Sequence, residues 1–159
     1  MPDEATWLTP EAHAKLQAEL SHLETAGRRA VEERIAEARS HGDIRENADY
    51  DAAKDDQGLM EARIRQLQHI LRTAEVRAVA DTGKVEIGSI VTIVDGDGDT
   101  VDVFVAPAEN EPPPGAMRSS PESPLGGALL GAAPGQRIAY EAPAGTIEVE
   151  VQAVRPYGG

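Results

Sequence analysis

The 159-residue sequence has no cysteine, few aromatic residues, a shortage of basic residues and no long apolar run. Without cysteine there is no disulfide bond, no thiolate nucleophile and no cysteine-type zinc site. One Trp, three Tyr and one Phe are too few for a platform that stacks nucleic-acid bases. The formal net charge of −13 argues against tight autonomous binding to DNA or RNA phosphates. Since no segment approaches the roughly 20 apolar residues that span a bilayer, and no secretory signal is evident, we expect a soluble, cytoplasmic protein.

Glycine and proline divide the chain into two parts. Residues 1–80 contain 3 of the 15 Gly and 2 of the 11 Pro, and the remainder follow. Because both residue types interrupt helices, the first part can form long helices and the second cannot. We therefore predict an α+β protein, with an antiparallel coiled-coil domain over residues 1–80 and a globular domain over residues 84–159.

Apolar residues recur at helical spacing along two segments of the first part. Thr9 can cap the first helix, and Pro10 suits its first position. Two helices joined by a short turn run antiparallel and bury their stripes against each other, although a bundle with other chains has the same pattern. The first stripe slips in phase near Gly27 and comprises Leu16, Leu20, Leu23, Val31, Ile35 and Ala38, whereas the second comprises Ala53, Gln57, Met60, Ile64, Leu67, Leu71 and Ala74.

Short strands separated by turn residues fill the second part. In the last of them Ile147, Val149, Val151 and Ala153 alternate with polar residues, which predicts that one face is buried. A small antiparallel sheet packed by one short helix accounts for this half. We predict hairpins of strands 89–94 with 100–106 and 136–141 with 146–154, a short strand near 117–119, and a helix that begins after Ser123.

The turn between the two helices is rich in carboxylates. Asp43 and Glu46 are three residues apart, so both lie on one face if the second helix begins there. Such a pair suits Mg²⁺, which takes one or two protein carboxylates and keeps waters or substrate phosphates, and a two-metal site activates water for phosphodiester cleavage. The same spacing has the form of a capping box that only starts a helix. The residues by themselves leave both interpretations open.

Two basic residues flank this turn. Arg39 and Lys54 either pair with the neighbouring Glu37 and Asp55 or contact a nucleic-acid backbone. Tyr50 either packs near the turn or stacks on a base. These alternatives also stay open at this level.

The sequence resembles the Gre-type bacterial transcript-cleavage factors. The pattern Gly-Asp-x-x-Glu-Asn-x-x-Tyr, followed by Ala-Ala-Lys and Gln-Gly, is similar to the tip and second helix of that family. The opening WLTPEAHAKLQAELSHL looks like its first helix, and SSPESPLGGALLG is similar to its C-terminal Ser-Pro-Leu element. The acid-rich tip looks closer to the GreA branch than to the GreB branch.

The resemblance implies a mechanism. Proteins of this family dock a globular domain, of a fold similar to the FKBP type, at the rim of the secondary channel of bacterial RNA polymerase. Their coiled coil then enters the channel. Asp43 and Glu46 match the catalytic pair that helps to coordinate a Mg²⁺ ion shared with the polymerase active site. Arg39 and Lys54 fall near the RNA 3′ segment, and Ser123, Pro124 and Leu125 match the docking signature.

The expected function is therefore stimulation of nascent-RNA cleavage in backtracked polymerase by a monomeric factor that has no nuclease activity of its own.

Three features depart from the family pattern, all in the part that the resemblance assigns to docking. The loop 108–114 is not an acidic run, Ala132 occupies a position where the family has a basic residue, and Gly126-Gly127 interrupts the short helix. The alternatives are a non-catalytic regulator or inhibitor that binds the same channel, and a coiled-coil adaptor unrelated to polymerase.

Overall fold

The computed structural model describes residues 5–42 and 47–158, whose contacts divide the chain into two compact units. The first, here called the hairpin unit, contains His13–Ala74. The second, here called the sheet unit, contains Thr6–Ala12 together with Glu75–Gly159. This division differs from the predicted domains because a short N-terminal segment and residues 75–80 belong to the sheet unit. Within the described residues, no helix combines the length and the apolar character needed to span a membrane.

The helices follow the predicted stripes. Thr9 Oγ1 accepts a hydrogen bond from the Ala12 amide at 3.0 Å, which confirms the predicted cap. The helices are α1 (Pro10–His22), α2 (Arg28–Arg39) and α3 (Ala48–Thr73), and a π-helical turn, Leu23–Gly27, joins α1 to α2.

The π-helical turn occupies the predicted phase slip. From Leu23 to Val31 the apolar step is one residue longer than a heptad. A π turn accommodates an extra residue without ending the helix. The stripe therefore returns to the side that faces α3. At Gly27 a Cβ atom would lie 3.2 Å from Met60 Sδ, so the absence of a side chain leaves room for the opposite helix.

Apolar packing and ion pairs hold the hairpin unit together. Val31, Ile35 and Ala53 form a buried cluster, against which Tyr50 and Met60 pack. Further along α3, Ile64, Leu67 and Ile70 are buried, whereas the predicted Leu71 is only partly buried. The predicted heptad is therefore wrong at its last turn, where Ile70 takes the inward position.

Two bidentate ion pairs join α3 to the preceding helical segments. Arg28 Nε lies 2.9 Å from Glu61 Oε1, and Arg63 Nε lies 2.7 Å from Glu19 Oε1. The second guanidinium nitrogen of each arginine reaches the other carboxylate oxygen. These hydrogen bonds lower the pKa of both glutamates below the usual range.

The sheet unit contains a five-stranded sheet in the order β3-β2-β1-β5-β4. The three pairs among β1, β2, β5 and β4 are antiparallel, and β3 is parallel to β2. The prediction of a purely antiparallel sheet was wrong at β3, because residues 106–115 return the chain to the starting end of β2. The strands are β1 (Ser89–Val94), β2 (Thr100–Val105), β3 (Ala116–Ser119), β4 (Arg137–Ala142) and β5 (Gly145–Pro156).

A bulge in β5 changes which residues point into the core. Thr92 pairs with Ala153 while Ile93 pairs with Val151, so one extra residue stands between them on β5. The extra residue moves every later side chain to the other face. Val154 rather than the predicted Ala153 therefore packs against the core. Ile147, which precedes the bulge, is exposed.

Both faces of the sheet are partly covered. A short helix, α4 (Pro124–Leu129), places Leu129 in the main core with Val91 and Val103. On the opposite face Trp7 packs edge-on against Phe104, with ring centroids 6.1 Å apart. The N-terminal segment is thus an integral part of the sheet unit.

Candidate functional site at the hairpin end

The predicted catalytic and metal-binding residues, Asp43 and Glu46, lie outside the described residues. The structure describes the chain on either side of them, where α2 ends and α3 begins. We call residues 38–42 and 47–50 the hairpin end. The contacts of Asn47, Arg39 and Lys54 define the geometry of this end.

The N-cap of α3 is Asn47, not Asp43. Asn47 Oδ1 accepts a hydrogen bond from the Tyr50 amide at 3.1 Å, and α3 begins at Ala48. The capping-box interpretation of Asp43 and Glu46 was therefore wrong. Both residues precede α3 in the sequence, so neither is required to start that helix. Asn is as good an N-cap as Asp, and this equivalence is the signal that could have identified Asn47.

Asn47 also connects the two helices. Its Nδ2 atom donates a hydrogen bond to the carbonyl oxygen of Ala38, a buried residue in the last turn of α2. The same carbonyl accepts from the His41 amide at 3.2 Å. Carbonyls in the last turn of a helix lack their regular α-helical donor, and here the His41 amide and the Asn47 side chain both donate to one of them.

Arg39 contacts an aromatic ring. Its guanidinium carbon lies 5.8 Å from the centroid of Tyr50, within the range of a cation–π interaction. Tyr50 is half-buried against the apolar cluster of the hairpin unit, which supports the packing interpretation of this residue. Arg39 thus rests on α3 while its charge remains on the surface.

Lys54 is one turn further along α3. Its Nζ donates to Gln57 Oε1 at 3.0 Å, and the side chain is exposed. Within the described part of the chain, the contacts of Arg39 and Lys54 are thus with Tyr50 and Gln57, not the predicted ion pairs with Glu37 and Asp55. Both residues are exposed.

Carboxylates also surround the start of α3. Asp49 and Asp51 occupy its first turn, where negative charge suits the helix dipole. Asp49 Oδ2 lies 3.8 Å from His41 Nδ1. Across residues 5–42 and 47–158, no group of three or more His, Asp or Glu side chains is arranged to hold a metal ion.

The predicted docking residues begin α4. Ser123 Oγ accepts from the Gly126 amide at 3.1 Å and donates to the Ser120 carbonyl at 2.7 Å. Leu125 packs against the core, and Pro124 is exposed. Ser123 therefore fixes the backbone at the start of α4, and the side chain of Pro124 lies on the surface.

Two of the departures from the family pattern have a structural explanation. Ala132 is only 2% exposed and packs in the core, so this position faces inward. Asn110, in the altered loop, is buried and donates to the Trp7 carbonyl at 2.9 Å while its Oδ1 accepts from the Thr9 amide at 2.7 Å. The sequence pattern missed this role of Asn110, since its partners lie about a hundred residues away.

Comparison with known proteins assigns both units. A family model for the N-terminal domain of the GreA/GreB transcription elongation factors matches residues 6–76, and the model for the C-terminal domain matches residues 80–156. The chain belongs to the GreA/GreB family of transcription elongation factors. The resemblance and the α+β fold class expected from the sequence are confirmed.

GreA proteins of several bacteria are similar over nearly the whole chain. Transcription elongation factor GreA of Mycobacteroides abscessus is 43% identical over 159 residues, covering 97% of this chain and 96% of that protein. GreA of Chloroflexus aggregans is 40% identical over 157 residues, covering 98% of this chain and 100% of that protein. Among solved structures, GreA factor homolog 1 (Gfh1) of Thermus thermophilus is 29% identical with a TM-score of 0.44, covering 96% of this chain and 99% of that one.

Proposed function

We propose that this GreA-type elongation factor enters the secondary channel of bacterial RNA polymerase and stimulates hydrolytic cleavage of nascent RNA in backtracked complexes. One observation carries the proposal: in a GreA/GreB family member, two carboxylates stand between the two hairpin helices without being needed to start the second. Asp43 and Glu46 are the only residues of the proposed site outside the described parts of the chain. Arg39 and Lys54 flank them as surface cations.

The chemistry of the two carboxylates fits Mg²⁺ only in part. Carboxylate oxygens are hard ligands of the kind that Mg²⁺ prefers. Two of them supply fewer ligands than its octahedral shell requires, so polymerase groups, substrate phosphate and water would complete the shell. When bound, the ion would lower the pKa of a coordinated water for attack on the phosphodiester. We expect the free protein to bind Mg²⁺ weakly and to have no nuclease activity.

The cations at the hairpin end have a separate role in this proposal. Arg39 presents a guanidinium that lies over the Tyr50 ring, and Lys54 presents an exposed ammonium that donates to Gln57 on α3. Both can contact phosphates of the RNA 3′ segment, which keeps the scissile bond near Asp43 and Glu46. Arginine offers planar, bidentate hydrogen bonding to phosphate, whereas lysine acts as a point charge.

Overall charge suits such a factor. A net charge of −13 disfavours general binding to nucleic acid and favours attraction toward a basic channel. In the proposed complex a monomer docks through the sheet unit, with Pro124 and Leu125 at the contact. Ser123 contributes by shaping the start of α4.

The test is an RNA cleavage assay with backtracked complexes of the cognate polymerase. Asp43→Asn and Glu46→Gln remove one charge each with little change in shape. We expect each to reduce the stimulated rate by about 100-fold or more, the scale of a lost acid–base or metal-binding group, without weakening polymerase binding. Asp55→Asn, an exposed carboxylate of α3, is the matched control and should cleave like the wild type.

Three outcomes would contradict the proposal. Cleavage by Asp43→Asn and Glu46→Gln at the wild-type rate would remove the assigned role of the carboxylates. A wild-type protein that binds polymerase and slows elongation without stimulating cleavage would be a non-catalytic regulator. RNA hydrolysis by the free protein with Mg²⁺ would contradict the proposed dependence on polymerase.

A further inference from the structure

Asn47 makes more contacts than an N-cap requires. A cap needs only one side-chain acceptor for an amide in the first turn, which Asn47 Oδ1 provides to Tyr50. Its amide nitrogen makes the additional hydrogen bond to the carbonyl of Ala38. One short side chain therefore holds the first turn of α3 and the last turn of α2 at the same time.

A second connection depends on the same residue. By fixing the Tyr50 amide, Asn47 sets the start of the helix that carries the Tyr50 ring. That ring lies 5.8 Å from the guanidinium carbon of Arg39, the last residue of α2. The direct hydrogen bond and the ring contact together define the separation and the rotation of the two helix ends.

We propose that Asn47 is a positioning residue, which fixes the end of α2 against the start of α3 and thereby sets the placement of Arg39 toward the RNA. The inference rests on the proposed function. Asn47 touches neither RNA nor metal in this role and acts through the geometry of the hairpin end. Misplacement of reacting groups by about 1 Å can cost about 100-fold in rate, so such a residue is consequential.

The chemistry of asparagine explains why this position requires it. Asparagine has a carbonyl oxygen that accepts and an amide nitrogen that donates, on a side chain one methylene long. Aspartate keeps the acceptor and loses the donor. Serine caps helices equally well but its hydroxyl is too short to make both contacts. Both substitutions therefore remove the hydrogen bond to the Ala38 carbonyl and keep an acceptor that caps α3.

The experiment compares Asn47→Asp and Asn47→Ser with the wild type in two measurements. The first is cleavage in backtracked complexes as a function of factor concentration. We expect the maximal rate to fall at least tenfold in both variants, while the half-saturating concentration and the thermal midpoint stay near the wild-type values. Because only Asn47→Asp adds a charge, agreement between the two variants excludes an electrostatic cause.

The second measurement does not depend on cleavage. The chain has no cysteine, so spin labels can be attached at Glu37→Cys on α2 and Gln68→Cys on α3, both exposed positions. Helix rise places the two labelled positions about 25 Å apart, within reach of electron–electron distance measurement. We expect the distance distribution to broaden or shift in both Asn47 variants and to keep its shape in Asp55→Asn.

The outcomes separate this inference from the proposed function. An unchanged distance distribution in the Asn47 variants would overturn the positioning role, and so would a changed distribution with full cleavage. A wild type without stimulated cleavage would refute the proposed function, and with it the role of Asn47 in placing Arg39 toward the RNA. A loss of cleavage that appears only as a higher half-saturating concentration would place Asn47 in polymerase binding instead.

Discussion

Gly126 occupies a position where a side chain has no room. A Cβ atom built there would lie 1.9 Å from the carbonyl oxygen of Ser120, a distance that forces the backbone to move. At the next residue, Gly127, a Cβ atom would lie 3.5 Å from the carbonyl oxygen of Pro121, which is an ordinary van der Waals contact. The two adjacent glycines of α4 therefore have different roles, one steric and one without a steric requirement.

Alanine at the two positions should have different effects on stability. We expect Gly126→Ala to destabilise the sheet unit by roughly 1–3 kcal/mol, the usual cost of overpacking. Gly127→Ala should be neutral or stabilising by up to about 1 kcal/mol, because alanine has the higher helix propensity. Denaturant unfolding of the two variants measures the difference, and equal midpoints would contradict the steric argument.

The π-helical turn is the element that reconciles two regular patterns. The apolar stripes on either side of it are each in phase with α3, but an extra residue stands between them. The turn Leu23–Gly27 absorbs that residue, and none of its side chains is buried. The π turn as a whole, rather than the side chain of any one residue, therefore accommodates the extra residue.

Deletion of Ala26 tests this interpretation. Removing one residue from the turn restores a heptad step, so a continuous α-helix can keep both stripes facing α3. We expect helical content by circular dichroism and the thermal midpoint to remain close to the wild-type values. Deletion of Ala62 from the regular helix α3 is the matched control and should lower the midpoint strongly, and equal losses in both would refute the account.

The ion pairs across the hairpin make its free energy of unfolding depend on pH. Hydrogen bonds from Arg63 lower the pKa of Glu19 below the model-peptide value of 4.5. A group with a lowered folded-state pKa stabilises the native state above its unfolded-state pKa, and this contribution is lost as the pH falls through the lower value. Stability should therefore decrease below about pH 4.5.

Glu19→Gln isolates this contribution. The side chain of Glu19 is 37% exposed. Because solvent screens the pair, we expect it to contribute no more than about 1 kcal/mol to the free energy of unfolding. We expect thermal midpoints of the variant to lie below those of the wild type at pH 7 and to converge with them near pH 3. A constant difference between the two curves across that range would contradict the assignment. Glu33→Gln, an exposed position on α2, serves as the control.

At the scale of the whole molecule, Asn110 joins segments that are far apart in the sequence. It hydrogen-bonds Trp7 and Thr9, which precede the helical hairpin, and it lies after two strands of the sheet. Trp7 in turn donates from Nε1 to the Arg77 carbonyl at 3.1 Å. The sheet unit is therefore completed only when both ends of the intervening chain have been brought together.

Asn110→Ala should weaken the sheet unit. The substitution leaves the buried Thr9 amide and the Trp7 carbonyl without this partner, at a cost of about 1–3 kcal/mol for each unsatisfied group. Trp7 is the only tryptophan, so its fluorescence reports the unfolding of this unit directly. We expect a lower denaturant midpoint for Asn110→Ala and an unchanged one for the surface control Glu148→Ala. Coincident midpoints would show that the contacts of Asn110 are dispensable.

The sequence by itself determined the features that depend on local periodicity. The two helical stripes, the start of α1, the phase slip near Gly27 and the two β-hairpins follow from spacing and turn residues, because each involves neighbours in the chain. The carboxylates Asp43 and Glu46 were likewise recognised from a motif, and their roles remain a proposal.

Only the tertiary structure decided features that depend on distant partners. The N-cap at Asn47 was settled by the end of α2, the parallel pairing of β3 by the return of a long loop, and the inward Val154 by a bulge opposite Thr92. The contact of Arg39 with Tyr50 and the buried position of Asn110 belong to the same class. Spacing along the chain constrains which face a residue occupies, but the partner on that face is set by the free energy of packing the whole unit.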